Sequence, residues 1–356
     1  MTQHDAKTTT NRIDARTARL RAPLALAGAG LLALGAARPS ARAAQEATSV
    51  TLALDWYPNA NHAGIYLAQV RDLFAPAGVV PEIYTPADPT TVLQTVGTGR
   101  DDFGISYQTE VLLARAQGVP VVSVAAVVQV PLLVMMTLTE RGITRPSDLR
   151  GRSIGSSGLA SDEAFLSTIL AADGVSLDQV EIVNVGYDLL PAIASGRVDA
   201  VTGVYWNHET LIADREGYDV SLLRFEDWGV PPFYELVLVA SEETVARRPE
   251  VVRALVAAMG AGYVAAAADP AAALAALEAA SPDLDVEIES RAVPLSAATW
   301  VDANGRFGVQ TAERWDAFGG WLADNGLIPA DLDIAAAWYP GAVSTATGTP
   351  VATPIG

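Results

Sequence analysis

The sequence predicts an α/β protein of two lobes, on three observations. The chain has 356 residues, half of them apolar, more than one hydrophobic core ordinarily organises, so two cores are expected. Short apolar segments of strand length alternate with segments of helical periodicity, the pattern of layered α/β folds. One stretch also echoes another: TGRDDFGISYQTEVLLARAQG (98–118) and SGRVDAVTGVYWNHETLIADREG (195–217) both run Gly-Arg-x-Asp, an apolar strand, an aromatic and amide cluster, then a helix with a Glu in its first turn. Two lobes built alike would set these clusters at the carboxyl ends of corresponding strands, the edge at which open α/β sheets bind ligands. An ordinary helix-to-strand turn is the plainer account of the same four residues.

From the amino end, Arg12, Arg16, Arg19 and Arg21 precede an apolar run over 24–37 and the small-x-small triplet Ala41-Arg42-Ala43. That is the pattern of a secretory signal cleaved near Ala43. The run is about 14 residues, short of the roughly 20 needed to span a bilayer, and it lacks a twin-arginine pair, so Sec export is the simpler route. The chain has no cysteine, which excludes disulfides, thiolate chemistry and a lipid-modified Cys anchor. The expectation is a soluble, exported protein, periplasmic or extracytoplasmic. Residues 1–43 carry seven basic and two acidic side chains, so the formal charge of −18 becomes −23 without them. Such a surface repels nucleic acid and anionic lipid. Lys7 is the only lysine, and it lies in the leader.

Strands are expected at 50–56, 79–84, 102–106, 121–128, 153–155, 181–185, 200–205 and 235–240, where apolar residues run or alternate between turn residues. Between the first two, residues 62–74 form a helix whose stripe includes Ile65, Tyr66, Gln69, Val70 and Leu73, with Asn59 or Asn61 as its cap. The Ala-rich stretch 249–280, broken at Asp269-Pro270, reads as structural helix. The segment from Pro340 is Pro, Gly, Thr and Ala without periodicity, and reads as a disordered tail.

Four clusters carry the candidate chemistry. Asp55, Trp56, Asn61 and His62, with Tyr66 one turn further on, occupy the first strand-to-helix junction; a flat ring stacks on Trp, and Asn or Asp supply directional hydrogen bonds. Ser106, Tyr107, Gln108 and Glu110 follow a second strand, Glu110 serving equally well as a first-turn acid favoured by the helix dipole. Tyr205, Trp206, Asn207, His208 and Glu209 follow a third, and Phe233, Tyr234 and Glu235 open a fourth. Glu209 and Glu235 can accept from an exocyclic amine and a protonated ring nitrogen. Outside the leader the histidines are His62 and His208 alone, too few for an expected metal site, and nothing calls for a cofactor. GSSGLASDEAF (155–165) resembles an anion cradle, but Asp162 and Glu163 in the first turn disfavour a phosphate there. No arginine is evident in the four clusters.

LDWYPNANHAGIYLAQ, DFGISYQTEVLLARAQGVPVVSVAA, NVGYDLLPAIASGRVDAV, GVYWNHE and PPFYELVLVASEE, in this order, resemble the substrate-binding proteins of the thiamine-pyrimidine-precursor ABC importers. That group also holds the fungal thiamine-pyrimidine synthases, and the resemblance covers residues 50–335. It implies a two-lobed type II periplasmic-binding fold with crossovers near 138–142 and 239–242. The lobes are then 44–138 with 240–339, and 139–239, with 340–356 as the tail. It also implies a monomer that captures a hydroxymethylpyrimidine or formylaminopyrimidine ligand in the cleft and delivers it to a membrane permease with its cytoplasmic ATPase. The residues assigned to the ligand are Asp55, Trp56, Asn61, His62, Tyr66, Ser106, Tyr107, Gln108, Tyr205, Trp206, Glu209, Tyr234 and Glu235. The synthase alternative requires a pyridoxal-phosphate lysine where Ser106 stands, a sacrificial histidine where Glu110 stands and a Cys-rich segment near 231–236, none of which this sequence has. A pocket turned to riboflavin, or to a sulfonate or nitrate-type anion, is the other alternative.

Overall fold

The computed structural model describes residues 47–158, 161–186 and 188–343; the leader expected over 1–43 and the tail from 344 onward lie outside them. The first part of the chain supplies β1 (Thr48–Ala53), α1 (Ala63–Val70), α2 (Phe74–Ala77), β2 (Val79–Tyr84), α3 (Val92–Gly97), β3 (Phe103–Ser106), α4 (Gln108–Ala116) and β4 (Val121–Val128). The second supplies β5 (Leu133–Leu138), β6 (Ser153–Ser156), α5 (Asp162–Ala172), β7 (Glu181–Asn184), α6 (Leu189–Ala194), β8 (Ala200–Tyr205), α7 (Glu209–Arg215) and β9 (Val220–Arg224). The third contains β10 (Leu236–Ser241), α8 (Glu242–Arg247), α9 (Pro249–Ala268), α10 (Pro270–Ala280), α11 (Val286–Ser296) and α12 (Ala312–Asp324).

Two five-stranded sheets result, in the orders β2-β1-β3-β10-β4 and β7-β6-β8-β5-β9. Each holds one strand, β10 or β5, antiparallel to both neighbours. The chain therefore passes between sheets at 129–132 and 225–235, which corrects the expected crossovers at 138–142 and 239–242. The cause is the same at both places. The apolar runs β5 and β10 pair in the sheet that follows the crossover, so each crossover, and each lobe boundary with it, falls one strand earlier than expected.

The repeated Gly-Arg-x-Asp has a structural cause in both lobes. Asp102 accepts from Thr51 N at 3.0 Å while its own N–H donates to Thr51 Oγ1 at 2.8 Å. Asp199 does the same with Ser153, at 3.1 and 3.2 Å. Each aspartate thus clasps its strand to the neighbouring one, β3 to β1 and β8 to β6, at equivalent places in the two sheets. Guanidinium groups neutralise both: Arg248 on Asp102, and Arg141 and Arg152 on Asp199. The glycines before them, Gly99 and Gly196, have φ of 73° and 72°, a turn that residues with a Cβ rarely adopt.

Helix α9 is long and apolar enough to cross a membrane by length and composition. Ten of its twenty residues are buried in the protein, which makes it a core helix of the first lobe. It crosses α1 at a glycine contact, where a Cβ on Gly262 would lie 2.3 Å from Gly64 O and one on Gly64 would lie 2.3 Å from the Tyr263 ring. The Asp269-Pro270 break separates α9 from α10, and Asp269 caps α10 by accepting from Ala272 N. Helix α12 reaches the second lobe: Trp321 packs on Phe165 of α5 at 5.0 Å between ring centroids and donates to Thr168 Oγ1 at 3.0 Å. Residues 340–343 are not a free tail: Pro340–Ala342 form a short turn with Ala342 buried in the core of the first lobe.

Candidate ligand-binding site

The loop after β1 is fixed before any ligand is considered. Asn59 caps the turn Ala60–His62, its side chain accepting from Asn61 N at 2.9 Å. Tyr263 OH donates to Asn61 O at 2.7 Å and Ala60 N donates to Glu289 at 2.7 Å, so helices remote in sequence hold this loop. His62 is fully buried. Its Nδ1 accepts from Asn59 N at 3.3 Å, which leaves the ring proton on Nε2, donated to Asp55 Oδ1 at 2.8 Å. Tyr107, which opens the turn after β3, donates its OH to Asp55 Oδ2, also at 2.8 Å.

Glu235 forms a second centre of the same kind. It stands just before β10, at the end of one crossover, and accepts from Leu132 N at 2.7 Å and Leu133 N at 3.1 Å, at the end of the other. Tyr205, at the carboxyl end of β8, donates its OH to Glu235 at 2.9 Å. Each carboxylate thus holds one tyrosine, and the tyrosines come from the two lobes. Burial drives the Glu235 carboxyl up to about 7; the two backbone donors and Tyr205 pull it down, and the Asp55 charge pushes it up again. Burial, followed by the charge and hydrogen bond of Asp55, holds the Tyr107 phenol well above its ordinary value. For Tyr205 burial comes first and the Glu235 charge second, in the same direction.

The other expected residues fall into four groups. Trp206 and Glu209 stand with Tyr205: Trp206 Nε1 donates to Pro131 O at 3.1 Å, and Glu209 accepts from Tyr205 N at 2.7 Å. Asn61 accepts from Asn207 Nδ2 at 3.1 Å, across the lobes. Trp56 is 42% exposed and edge-on to Tyr57. Tyr66, Ser106, Gln108 and Tyr234 are buried in the lobes. The Tyr66 hydroxyl is pushed to about 12 by burial, and Ser106 pairs with Val237 inside the first sheet. Gln108 accepts from Tyr234 N at 2.7 Å, and Tyr234 packs near Trp315 while its OH accepts from Thr311 N.

Two arginines stand against cluster residues, which corrects the expectation that the clusters have none. Arg224 lies over the Trp206 ring at 5.3 Å and Arg314 over Tyr234 at 4.5 Å; both come from elements the sequence does not connect with the clusters. Glu289 and Tyr263 were also missed. Tyr263 belongs to the Ala-rich stretch that reads as purely structural, and no local signal aims either residue at a loop more than 200 positions away. The cradle-like loop after β6 is filled from within: Ser156 and Ser157 hydroxyls both donate to Asp162, at 2.5 and 3.3 Å, and Gly158 N donates to Ser156 Oγ at 2.9 Å.

The NMT1/THI5-like family matches residues 59–273. A formylaminopyrimidine-binding protein of Halalkalibacterium halodurans is 38% identical over 278 residues, 77% of this chain and 84% of that protein. A 4-amino-5-hydroxymethyl-2-methylpyrimidine phosphate synthase of Schizosaccharomyces pombe is 26% identical over 219 residues, 59% of this chain and 63% of that protein. Among solved structures, the periplasmic aliphatic sulphonate binding protein SsuA of Escherichia coli matches with a TM-score of 0.65 at 15% identity, over 82% of this chain and 97% of that one. That likeness shows the two-lobed type II periplasmic-binding fold, as the strand orders do. With its fold, its paired strand-end clusters and more than half its length in agreement, the chain belongs to the NMT1/THI5-like family.

Proposed function

We propose that the chain is the extracytoplasmic solute-binding protein of an ABC importer, capturing a thiamine pyrimidine precursor of the hydroxymethylpyrimidine or formylaminopyrimidine type for salvage. The observation that carries this reading is the pair of buried carboxylates, Asp55 and Glu235, each holding a tyrosine from a different lobe. Both phenolic protons are already donated, so the capacity left at this place is to accept hydrogen bonds and to balance positive charge. An aminopyrimidine, with an exocyclic amine and a ring nitrogen that takes a proton, fits that demand, and Trp206 beside Tyr205 offers a flat face. The 38% identical relative, a formylaminopyrimidine-binding protein, points the same way. Release to a membrane permease completes the role.

Two features weigh against the alternatives. A sulfonate or nitrate would need free donors at the loop after β6, but the Ser156 and Ser157 hydroxyls there are directed at Asp162, whose charge repels an anion. A pyridoxal-phosphate synthase needs a lysine for its Schiff base, and the sequence has none after Lys7. The test is isothermal titration of the purified protein, unfolded and refolded to strip carried ligand, with hydroxymethylpyrimidine, its formylamino analogue, riboflavin and taurine. One-to-one heat with a pyrimidine alone is expected. Heat with riboflavin or taurine and silence with both pyrimidines would overturn the substrate named here.

A further inference from the structure

A second polar junction joins the lobes, away from Asp55 and Glu235. Helix α7 of the second lobe lies beside α11 of the first, and His208, which precedes α7, stands between two carboxylates. Its Nδ1 is 3.0 Å from Glu209 Oε1 and its Nε2 is 3.7 Å from Glu289 Oε1. Glu209 belongs to the lobe of His208, and Glu289 to the other. The remaining oxygen of each carboxylate holds the backbone of a site loop: Glu209 accepts from Tyr205 N and Glu289 from Ala60 N, both at 2.7 Å. A single imidazole thus stands in a continuous polar path from the loop after β8 to the loop after β1.

A neutral imidazole carries one N–H and one lone pair, so it can satisfy one carboxylate and must turn its lone pair toward the other. Only the imidazolium presents a donor to both. We propose that His208 is a positioning residue whose protonated ring clamps the two lobes together through Glu209 and Glu289, so that bound ligand is held more tightly when His208 is charged. The mechanism requires no contact between His208 and ligand. It acts by fixing the Tyr205 and Ala60 loops relative to each other.

The surroundings favour the charged ring. Burial opposes the charge on His208, but the Glu209 hydrogen bond and the charges of Glu209, Glu289 and Asp285 more than reverse it, and the net direction is upward from 6.5. Glu289 is itself raised, first by burial; His208, Ala60 N and His62 pull it down and Asp285 pushes it up. His62 in turn faces Asp55. Two ion pairs flank the junction, Arg215 with Asp285 and Arg291 with Asp214, both at 2.6 Å. Asn207, donating to Asn61 and to Ser296 Oγ at 2.8 Å, adds a contact that does not titrate. A raised imidazole pKa means that the clamp is complete below 6.5 and is lost as pH rises through the raised value. At the acid end it fails again once Glu289 takes up a proton.

The absence of cysteine makes the test direct. Spin labels at Val70→Cys in the first lobe and Glu181→Cys in the second, both at exposed positions, report the interlobe distance by pulsed electron resonance without ligand. The expected result is a shift toward longer distances between about pH 6 and about pH 8.5 in the wild-type background. His208→Asn and Glu289→Gln should show none of that shift. In parallel, release of hydroxymethylpyrimidine should quicken about three- to tenfold over the same range in the wild type and stay flat in His208→Asn. Only this second arm rests on the pyrimidine reading: if no pyrimidine binds, that reading fails while the distances still decide the clamp. A pH-independent wild-type distance, or an undiminished shift in His208→Asn, overturns the proposal. Should His208→Asn lose its native circular dichroism, His208→Gln replaces it.

Discussion

Replacing Glu235 by Gln should remove part of the protein's pH response. The amide keeps an acceptor for Leu132 N and Leu133 N, and the Tyr205 hydroxyl, which donates to Glu235 in the wild type, can turn to accept from the new NH2 group. Shape is conserved and only the charge is removed. In the folded protein burial holds the Glu235 carboxyl at about 7, against an ordinary 4.5. Between those values the folded chain keeps a proton that the unfolded chain has released. The stabilisation from that proton is complete below 4.5 and is lost as pH rises through about 7. At about 1.4 kcal/mol per pH unit the full loss is about 3 kcal/mol. Urea unfolding of both proteins at a series of values from about pH 4.5 to about pH 8 isolates it, because titrating groups that do not interact with Glu235 cancel in the difference. Glu235→Gln should gain about 3 kcal/mol on the wild type across that window. A difference that stays constant with pH would show that Glu235 is ionised in the folded protein throughout, and would refute the account of a carboxyl dominated by burial.

Two further outcomes follow from geometry already described. Asp162→Ser removes the carboxylate to which Ser156 and Ser157 donate, so taurine, silent with the wild type, should give measurable heat in titration; continued silence would mean that the loop is not an anion site even when freed. Gly64→Ala places a methyl group 2.3 Å from the Tyr263 ring, and it should cost about 1–3 kcal/mol in urea unfolding; wild-type stability would mean that α1 and α9 separate without penalty.

Much of the fold is legible in local pattern. The fully buried run 121–128, the segments at 79–84 and 200–205, the Asn59 cap and the Asp269-Pro270 break all coincide with the observed elements. What local pattern does not carry is the choice of sheet. Nothing within Leu133–Leu138 or Leu236–Ser241 states that each strand enters a sheet on the far side of a crossover, because that choice is made by partners distant in sequence. Neither β5 nor β9 is among the expected strands: Leu133–Leu138 follows closely on the apolar run of β4, and Val220–Arg224 is short and bounded by charge. The site divides in the same way. Polar and aromatic residues packed at strand ends are visible in sequence because strands otherwise favour apolar side chains. Glu289, 229 positions from the amide it receives, stands in an ordinary amphipathic helix.

The placement of β10 bears on the order in which the chain can be assembled. The second sheet is drawn from one continuous stretch, 133–224, and every pairing it needs is available once that stretch exists. The first sheet is interrupted: β3 and β4 do not pair with each other but both bond to β10. Until residues 236–241 arrive, these two strands face a gap the width of one strand, with their hydrogen-bonding edges unmet. Delivery of the chain from its amino end, through a translocon as from a ribosome, therefore supplies the means to finish the later lobe before the earlier one. Through that interval the segment of the first lobe that carries Asp55 and Tyr107 waits on a strand that has yet to be made.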